Sequence, residues 1–421
     1  MNIYFSKEID KIYFFGDAVS FPLLKTITKV NRGVSFVVFC MCNGMNDIEQ
    51  IESELVRKFN IKDRRDNIRK MVLSNTIEDD DIKRAFTLDI EKANHFIQVY
   101  GIMGKRYPQL LHMELTNTCN FQCGHCYKNA TYSGEYVAFD WIKENIYEKF
   151  KGSIQTIHLT GGEPTLHRDF DSIVNLFSSD YDLQLTTNGS RIRLYSEELF
   201  KKFKAIDISL YGLSPEDYLS NTGCFDAFCK VKDGCIMLSE ADIDFRVTLV
   251  LNNENWHQIE KYVQYAISVG AKRIGFALPS NGGKLLHGTS DRWHLTSETK
   301  RLIYREFRNV QSKYNDKIVF TEWERSKYSD MWKVYPEDDS LRCGAGARDW
   351  WMSEKYKFRP CSFLPDEYMS LDYDTWYGYI MNEQGLDWSN ARSSLELFAT
   401  NNNLDITDIC PVFQKIEGIN V

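Results

Sequence analysis

From Leu110 to about Tyr314, strand-like and helix-like runs alternate without a break. The strand-like runs are "LHMELT", "TIHLTGG", "LQLTTNG", "AIDISLYG", "DFRVTLVL" and "RIGFALPS". Between them lie helical patterns such as "FDWIKENIYEKF", "DFDSIVNLF", "SEELFKKF" and "HQIEKYVQYAIS", and "SETKRLIYREFRNVQSKY" closes the series. Such alternation implies a parallel sheet with right-handed crossovers. Six units suit a partial α/β barrel or an open doubly wound sheet, and either gathers its functional groups at the C-terminal ends of the strands.

The flanks read differently. In residues 1–95, short β-like runs ("NIYFS", "KIYFFG", "LLKTITKV") precede a helix, "VSFVVFCMCNG", that ends at Gly44. A second helix starts at Asn46, which has capping-box spacing to Glu49, and puts Ile48, Ile51 and Leu55 on one face. A third, near Asp63 to Leu73, buries Ile68, Met71 and Val72 and exposes Arg64, Arg65 and Arg69. Strands followed by three helices make a small winged-helix-like domain. The acidic run from Glu78 to Asp81 opens a linker that reaches about Arg106. Residues 106–316 form the α/β core. Residues 317–421 are aromatic-rich, with "RCGAGARDWW", "FRPCSFLP" and "DICPVF" standing out.

Charge and cysteine usage exclude several classes. A net charge of −8 argues against a general nucleic-acid binder. The winged-helix-like region adds no basic surplus, with 15 Lys+Arg against 15 Asp+Glu in residues 1–95. The most apolar stretch, "GVSFVVFCMCNGM", is too short and interrupted to span a bilayer. "MNIYFSKEID" lacks a signal-peptide pattern. A cytoplasmic location is therefore expected, where thiols stay reduced. Eleven cysteines, an odd number, then read as metal ligands, redox groups or buried thiols.

Three of them, Cys119, Cys123 and Cys126, crowd the loop after the first core strand, "LTNTCNFQCGHCYKNA". C-x3-C-x2-C spacing suits an iron–sulfur cluster held by one loop, whose three ligands leave one of four irons open. Zinc is the alternative, but a structural zinc wants four ligands, and His125 is badly placed to share the metal of its neighbour Cys126. The following strands end in "TGGEP", with Gly161, Gly162 and Glu163, then "TTNG", with Asn188, then "SLYG", with Ser209. Paired glycines let backbone approach a ligand closely, a carboxylate suits an amine, and an amide and a hydroxyl supply hydrogen bonds. All converge on the mouth that holds the thiols.

Over about Leu110 to Ser280 this combination resembles the radical S-adenosylmethionine (SAM) enzymes. The resemblance implies an α/β fold with a partial (β/α)6 barrel core. It makes Cys119, Cys123 and Cys126 the ligands of a [4Fe–4S] cluster whose open iron is chelated by SAM. It puts Gly161, Gly162 and Glu163 at the methionyl amine, Asn188 and Ser209 at the ribose and methionyl carboxylate, and His125 near the adenine. Many relatives carry an Arg about twelve residues after the position of Ser209, where this chain has Asn221; Arg246 is the candidate replacement. Family chemistry is hydrogen abstraction by a 5′-deoxyadenosyl radical, with the protein orienting the cofactor and excluding water.

The flanks resemble known modules too. "VNRGVSFVVFCMCNGMNDIEQIESEL" is similar to the PqqD-like recognition element of ribosomally made, modified peptides (RiPPs), which binds a precursor's leader by adding it as a strand to a sheet edge. Here that edge is near Leu24 to Val30, beside the third helix. The C-terminal region resembles the twitch and SPASM auxiliary-cluster domains, with Cys343 and Cys361 flanking a hairpin and, with Cys410, as ligands of one further cluster. Three ligands would leave an iron there for a substrate cysteine. The resemblance thus implies a maturase that installs a thioether crosslink in a leader-bearing precursor peptide, drawing electrons from a reductant such as flavodoxin or ferredoxin, with no nucleic-acid or membrane partner. Carbon–carbon or carbon–oxygen crosslinking and epimerisation stay open, as does a non-catalytic iron–sulfur or zinc regulator. Cys40 and Cys42 read as helix core, and Cys224, Cys229 and Cys235 as structural thiols near or on a barrel helix.

Overall fold

The computed structural model describes residues 11–15, 18–21, 26–29, 98–101, 105–280, 282–287, 290–321, 346, 349–364, 366, 369–381 and 397–402. Strands β1 (Lys11–Phe15), β2 (Ala18–Phe21), β3 (Thr26–Lys29) and β4 (Gln98–Tyr100) form one sheet in the order β3-β2-β1-β4. β4 runs parallel to β1 and comes from the stretch expected to be linker. β3 is an edge strand of this sheet, paired antiparallel with β2. The run "NIYFS" and the three expected helices before Glu78 lie outside the described residues.

The second sheet has nine strands in the order β11-β10-β9-β8-β7-β6-β5-β12-β13. Its centre is the expected series: β5 (Leu110–Glu114), β6 (Thr156–Thr160), β7 (Asp182–Thr187), β8 (Phe203–Leu210), β9 (Phe245–Val250) and β10 (Arg273–Ala277). Each is parallel to the next, so the six-unit α/β core is the fold observed. Helices cross between the strands, among them Phe170–Phe177, Pro215–Thr222, Ala227–Glu240, Ile259–Ser268 and Ser297–Tyr314.

One face of this sheet is conventional core. Leu111, Met113, Ile157, Leu159, Leu183 and Ile208 are fully or almost fully buried there. Helix Phe170–Phe177 covers it with Phe170, Ile173, Val174 and Phe177, a stripe at helical spacing. The other face carries His112 and Glu114 on β5, His158 on β6, Gln184 and Thr186 on β7, Asp207 on β8 and Arg246 on β9, placed alike by strand alternation and register. A closed eight-stranded barrel fills its interior with branched apolar side chains. This partial barrel lines its interior with polar groups instead.

The hairpin expected between Cys343 and Cys361 is present, but two extensions of the core sheet went unread in the sequence. β11 (Val319–Thr321) extends the sheet beyond β10. On the opposite edge β12 (Asp349–Met352) pairs parallel to β5, Asp349 opposite Leu110 and Trp351 opposite His112, and β13 (Phe358–Arg359) turns back antiparallel against it. The aromatic-rich C-terminal segment is therefore continuous with the core sheet. Trp350, Phe358 and Trp376 pack together beneath it, the last two stacked with centroids 3.9 Å apart.

Candidate functional site

The three-thiol loop leaves the end of β5 and is pinned by backbone bonds on both sides. Leu115 N–H donates to Thr160 O at 2.9 Å, Cys119 N–H to Thr131 O at 2.7 Å, and Thr131 N–H to Asn117 O at 3.1 Å. Cys119 and Cys123 are 7% exposed, and Cys126 is partly buried. Backbone donors point at two of the sulfurs: Phe121 N–H at Cys119 Sγ, 3.3 Å, and Ala130 N–H at Cys126 Sγ, 3.4 Å. Burial, helped by the carboxylate of Glu163, raises Cys119 to about 12, and burial raises Cys123 further still. A bound metal ion, by bringing positive charge beside a buried thiol, favours its deprotonation. Among the described residues no three His, Cys, Asp or Glu side chains close on a single metal ion.

"GGE" is the second wall. Gly161 has φ +133°, and a Cβ there would sit 2.4 Å from Thr116 O; one on Gly162 would sit 2.3 Å from Thr118 O. Gly162 N–H and Glu163 N–H donate to those same carbonyls at 2.7 and 2.8 Å. The paired glycines thus let this loop lie directly on the backbone of the thiol loop. Glu163 is fully buried, and its carboxylate accepts from Thr165 N–H (3.1 Å), Thr165 Oγ1 (2.5 Å), Thr187 Oγ1 (2.7 Å) and Asn188 N–H (2.7 Å). Burial still raises its pKa. The carboxylate ties the loop after β6 to the loop after β7.

Asn188 carries the tie onward. Its Nδ2 donates to Asn120 Oδ1 at 2.9 Å and reaches Cys119 Sγ at 3.9 Å, while its Oδ1 accepts from Ser190 N–H and Oγ. Ser209 lies at the end of β8, and the hydroxyl of Tyr211 is close enough to both Ser209 and the Cys123 thiol for each to influence its ionisation. His125 lies with its ring centroid 4.4 Å from Trp293 and 6.0 Å from Tyr211. Burial, with Arg292 and Lys284 nearby, lowers it to about 4, so the ring is neutral at pH 7. The structure therefore brings Cys119, Cys123, Cys126, His125, Gly161, Gly162, Glu163, Asn188 and Ser209 to one mouth.

Sequence reading passed over the loop after β10. Gly283 has φ +58°, and a Cβ there would sit 2.3 Å from the carbonyl oxygens of Cys126 and Tyr127. Lys284 N–H donates to Cys126 O at 2.9 Å, and its ammonium donates to Gln122 Oε1 at 3.2 Å. Paired glycines in the loop after a strand, five and six residues beyond Ala277, were the available signal. Arg246 is held elsewhere: it pairs with Asp207, which also accepts from Thr248 Oγ1 at 2.7 Å, within the barrel. Cys224 Sγ donates to Asn120 O at 3.2 Å, whereas Cys229 is exposed and Cys235 buried on helix Ala227–Glu240.

Of the expected auxiliary ligands, Cys343 and Cys410 lie outside the described residues. Cys361 is partly buried and accepts from Phe363 N–H at 3.5 Å. Its neighbours meet the thiol loop's own neighbours. Arg359 and Lys128 both donate to Glu114 Oε2 at 2.5 Å, Lys128 also reaches Glu354 at 2.5 Å, and the rings of Tyr127 and Phe363 are 6.2 Å apart.

Comparison with solved structures finds the same overall fold in SuiB of Streptococcus suis, solved free, with S-adenosylmethionine and with its precursor peptide SuiA. The TM-score is 0.57 at 16% identity, over 89% of this chain and 88% of that one. anSMEcpe, solved with bound AdoMet, follows at a TM-score of 0.52 and 16% identity, over 69% of this chain and 80% of that one. In sequence, the chain is 25% identical over 296 residues to AlbA of Bacillus subtilis (strain 168), an antilisterial bacteriocin subtilosin biosynthesis protein, covering 68% of this chain and 62% of AlbA. It is 32% identical over 120 residues to an S-adenosylmethionine-dependent nucleotide dehydratase of Selenomonas ruminantium, covering 27% of this chain and 43% of that protein. The chain thus spans less than two thirds of each of these curated relatives. Residues 113–266, which hold the thiol loop and the loops after β6, β7 and β8, match the sequence profile of the Radical SAM superfamily.

Proposed function

We propose that this chain is a radical SAM enzyme that modifies a ribosomally made precursor peptide, with a Cys-to-carbon thioether crosslink as its product. The observation that carries the enzyme reading is the buried thiol loop braced by Glu163 and Asn188 at the C-terminal ends of parallel strands. The peptide reading is supported by the likeness to AlbA, whose name assigns it to bacteriocin biosynthesis, and by the fold shared with SuiB, which has been solved with a precursor peptide.

The residues present fit the cofactors. Three thiols on one loop suit a [4Fe–4S] cluster, and buried polar atoms at its rim with no partner among the described residues (Gln122 Nε2, His125 Nδ1, Asn221 Oδ1) suit a polar ligand. When bound, the cluster and SAM supply one electron and a 5′-deoxyadenosyl radical to the chemistry. Cys119, Cys123 and Cys126 would hold the cluster; His125, Gly161, Gly162, Glu163, Asn188 and Ser209 would hold SAM. Glu163 sets the spacing of the loops, Asn188 orients the Cys119 side of the cluster, and the aromatic group of His125, Tyr211 and Trp293 shields the mouth from water. Cys343, Cys361 and Cys410 would hold an auxiliary cluster that receives a substrate cysteine. Residues 1–95 would take the precursor's leader along β3, the edge strand. A flavodoxin or ferredoxin in the cytoplasm would supply electrons. Among the described residues no helix is long and apolar enough to cross a membrane.

Anaerobically reconstituted protein given SAM and a strong reductant should release 5′-deoxyadenosine, and Ala at Cys119, Cys123 and Cys126 together should abolish this. Cleavage that survives in the triple variant overturns the reading. With the precursor peptide, the product should be about 2 Da lighter per crosslink, with its Cys no longer alkylatable. An unchanged mass with altered stereochemistry means epimerisation. The same loss with every thiol still alkylatable means carbon–carbon or carbon–oxygen bonding.

A further inference from the structure

The carboxylate of SAM needs a cation that this chain does not place where its resemblance leads one to look. Position 221 is Asn, and its Nδ2 is turned back to donate to Tyr211 O at 2.5 Å, leaving Oδ1 buried with no donor among the described residues. Arg246 is consumed by Asp207 inside the barrel. Arg292, which flanks the mouth, pairs with Glu254 at 3.1 Å and donates to Ser220 Oγ. Lys284 is different: among the described residues no carboxylate lies on it.

Its position is fixed by the thiol loop itself. Gly283 presses on the carbonyls of Cys126 and Tyr127, and Lys284 N–H binds Cys126 O at 2.9 Å. From that anchor the side chain crosses to Gln122, between Cys119 and Cys123, and donates to Oε1 at 3.2 Å. Gln122 N–H in turn donates to Thr222 O at 2.8 Å, beside Asn221. The ammonium has thus come from the loop after β10 to the place where helix Pro215–Thr222 ends. On the same carboxamide, Gln122 Nε2 is buried with no acceptor among the described residues. An ammonium and an unpartnered amide N–H on one group recognise an anion, and a carboxylate can accept from both.

We propose that Lys284, seated on Gln122, forms the site for the methionyl carboxylate of SAM in this chain, in place of a cation at position 221. This rests on the radical SAM reading. The cation comes from the loop after β10, a strand beyond β9, so SAM would span the mouth and fasten that loop onto the thiol loop.

The test uses reconstituted full-length protein and two ligands, SAM and decarboxylated SAM, which keeps the sulfonium, amine and adenosine. Lys284→Met should weaken SAM roughly tenfold or more, the worth of one charged hydrogen bond, and leave decarboxylated SAM within about twofold. Lys284→Arg should restore most of the loss. Gln122→Glu, which sets a competing carboxylate before the ammonium, should also weaken SAM selectively. Iron content and the cluster's visible spectrum should match wild type in all three. Equal losses for both ligands, or unchanged SAM binding in Lys284→Met, would overturn the assignment. Wild-type protein that carries the cluster yet binds neither ligand would overturn the radical SAM reading itself.

Discussion

Arg359 Nη2 lies 2.5 Å from Oε2 of Glu114, across 245 residues of sequence, and both side chains are almost fully buried. Lys128 shares that oxygen, so residues two positions from Cys126 and two from Cys361 converge on one carboxylate. Removing Arg359 leaves Glu114 still paired with Lys128, so the loss is that of one buried charged hydrogen bond rather than of a stranded charge. Arg359→Leu should cost about 1.5–3 kcal/mol, and the loss in Glu114→Leu combined with Arg359→Leu should fall short of the sum of the two single variants. Denaturant unfolding of the apo protein measures these losses; strict additivity would deny the coupling.

Gly161→Ala should do more harm than its size suggests. The new Cβ would meet Thr116 O at 2.4 Å and displace the thiol loop, whereas Gly152→Ala, also at positive φ, meets nothing within 4 Å. The second variant should lose only about 1–2 kcal/mol of left-handed strain. The first should also reconstitute with markedly less iron, read by iron analysis on the two side by side.

Stability should fall on acidification below pH 6.5. His112 Nδ1 and His158 Nδ1 are 2.6 Å apart, and His158 Nε2 is 2.8 Å from Thr186 Oγ1. Burial, above all, lowers both, His158 to about 4. Between pH 6.5 and about 4 the unfolded chain therefore binds more protons than the folded one, so ΔG of unfolding drops as pH drops and is flat above that window. His158 alone would contribute roughly 1–3 kcal/mol across it. His158→Gln should flatten the slope of Tm against pH over this range.

Iron should count the clusters. Well-reconstituted protein should hold about eight irons, and Ala at Cys343, Cys361 or Cys410 should remove roughly half while SAM still binds. About four irons in wild type, unchanged by these substitutions, would remove the auxiliary cluster.

A proline at Ile27 tests leader capture. Ile27 sits in β3, opposite Ser20, at the sheet's edge. Proline there removes a backbone donor and fixes φ, so full-length protein should lose affinity for the leader peptide yet cleave SAM as before. Undiminished leader binding would place the leader elsewhere.

The six central strands were legible because each carries an apolar face at period two and ends in a turn, a signal local to a few residues. β12 was legible only as one arm of a hairpin between Cys343 and Cys361; its place beside β5 was not, because "DWWM" is short, follows a break in the alternation, and finds that partner far upstream. The site was legible wherever chemistry-bearing residues stand directly after a predicted strand, as with the thiol loop, Glu163 and Asn188. What those residues touch was not: the two glycines of "GGE" serve contacts to Thr116 and Thr118 that only tertiary structure creates. Lys284 escaped notice because an exposed-looking lysine in a loop carries no mark of its destination.

The pairing of β12 with β5 also sets an order of assembly. β5 opens the core sheet and is synthesised early, but its outer neighbour lies about 240 residues later in the chain. At elongation rates of about 5–20 residues per second, the outer edge of β5 waits on the order of ten seconds or more for that neighbour. Through that interval the growing chain presents an unpaired apolar strand, the kind of edge that chaperones shield and aggregates recruit. Chains truncated before Asp349 would keep that edge open permanently, so expression trials that trim the C-terminus should yield inclusion bodies rather than a smaller working enzyme.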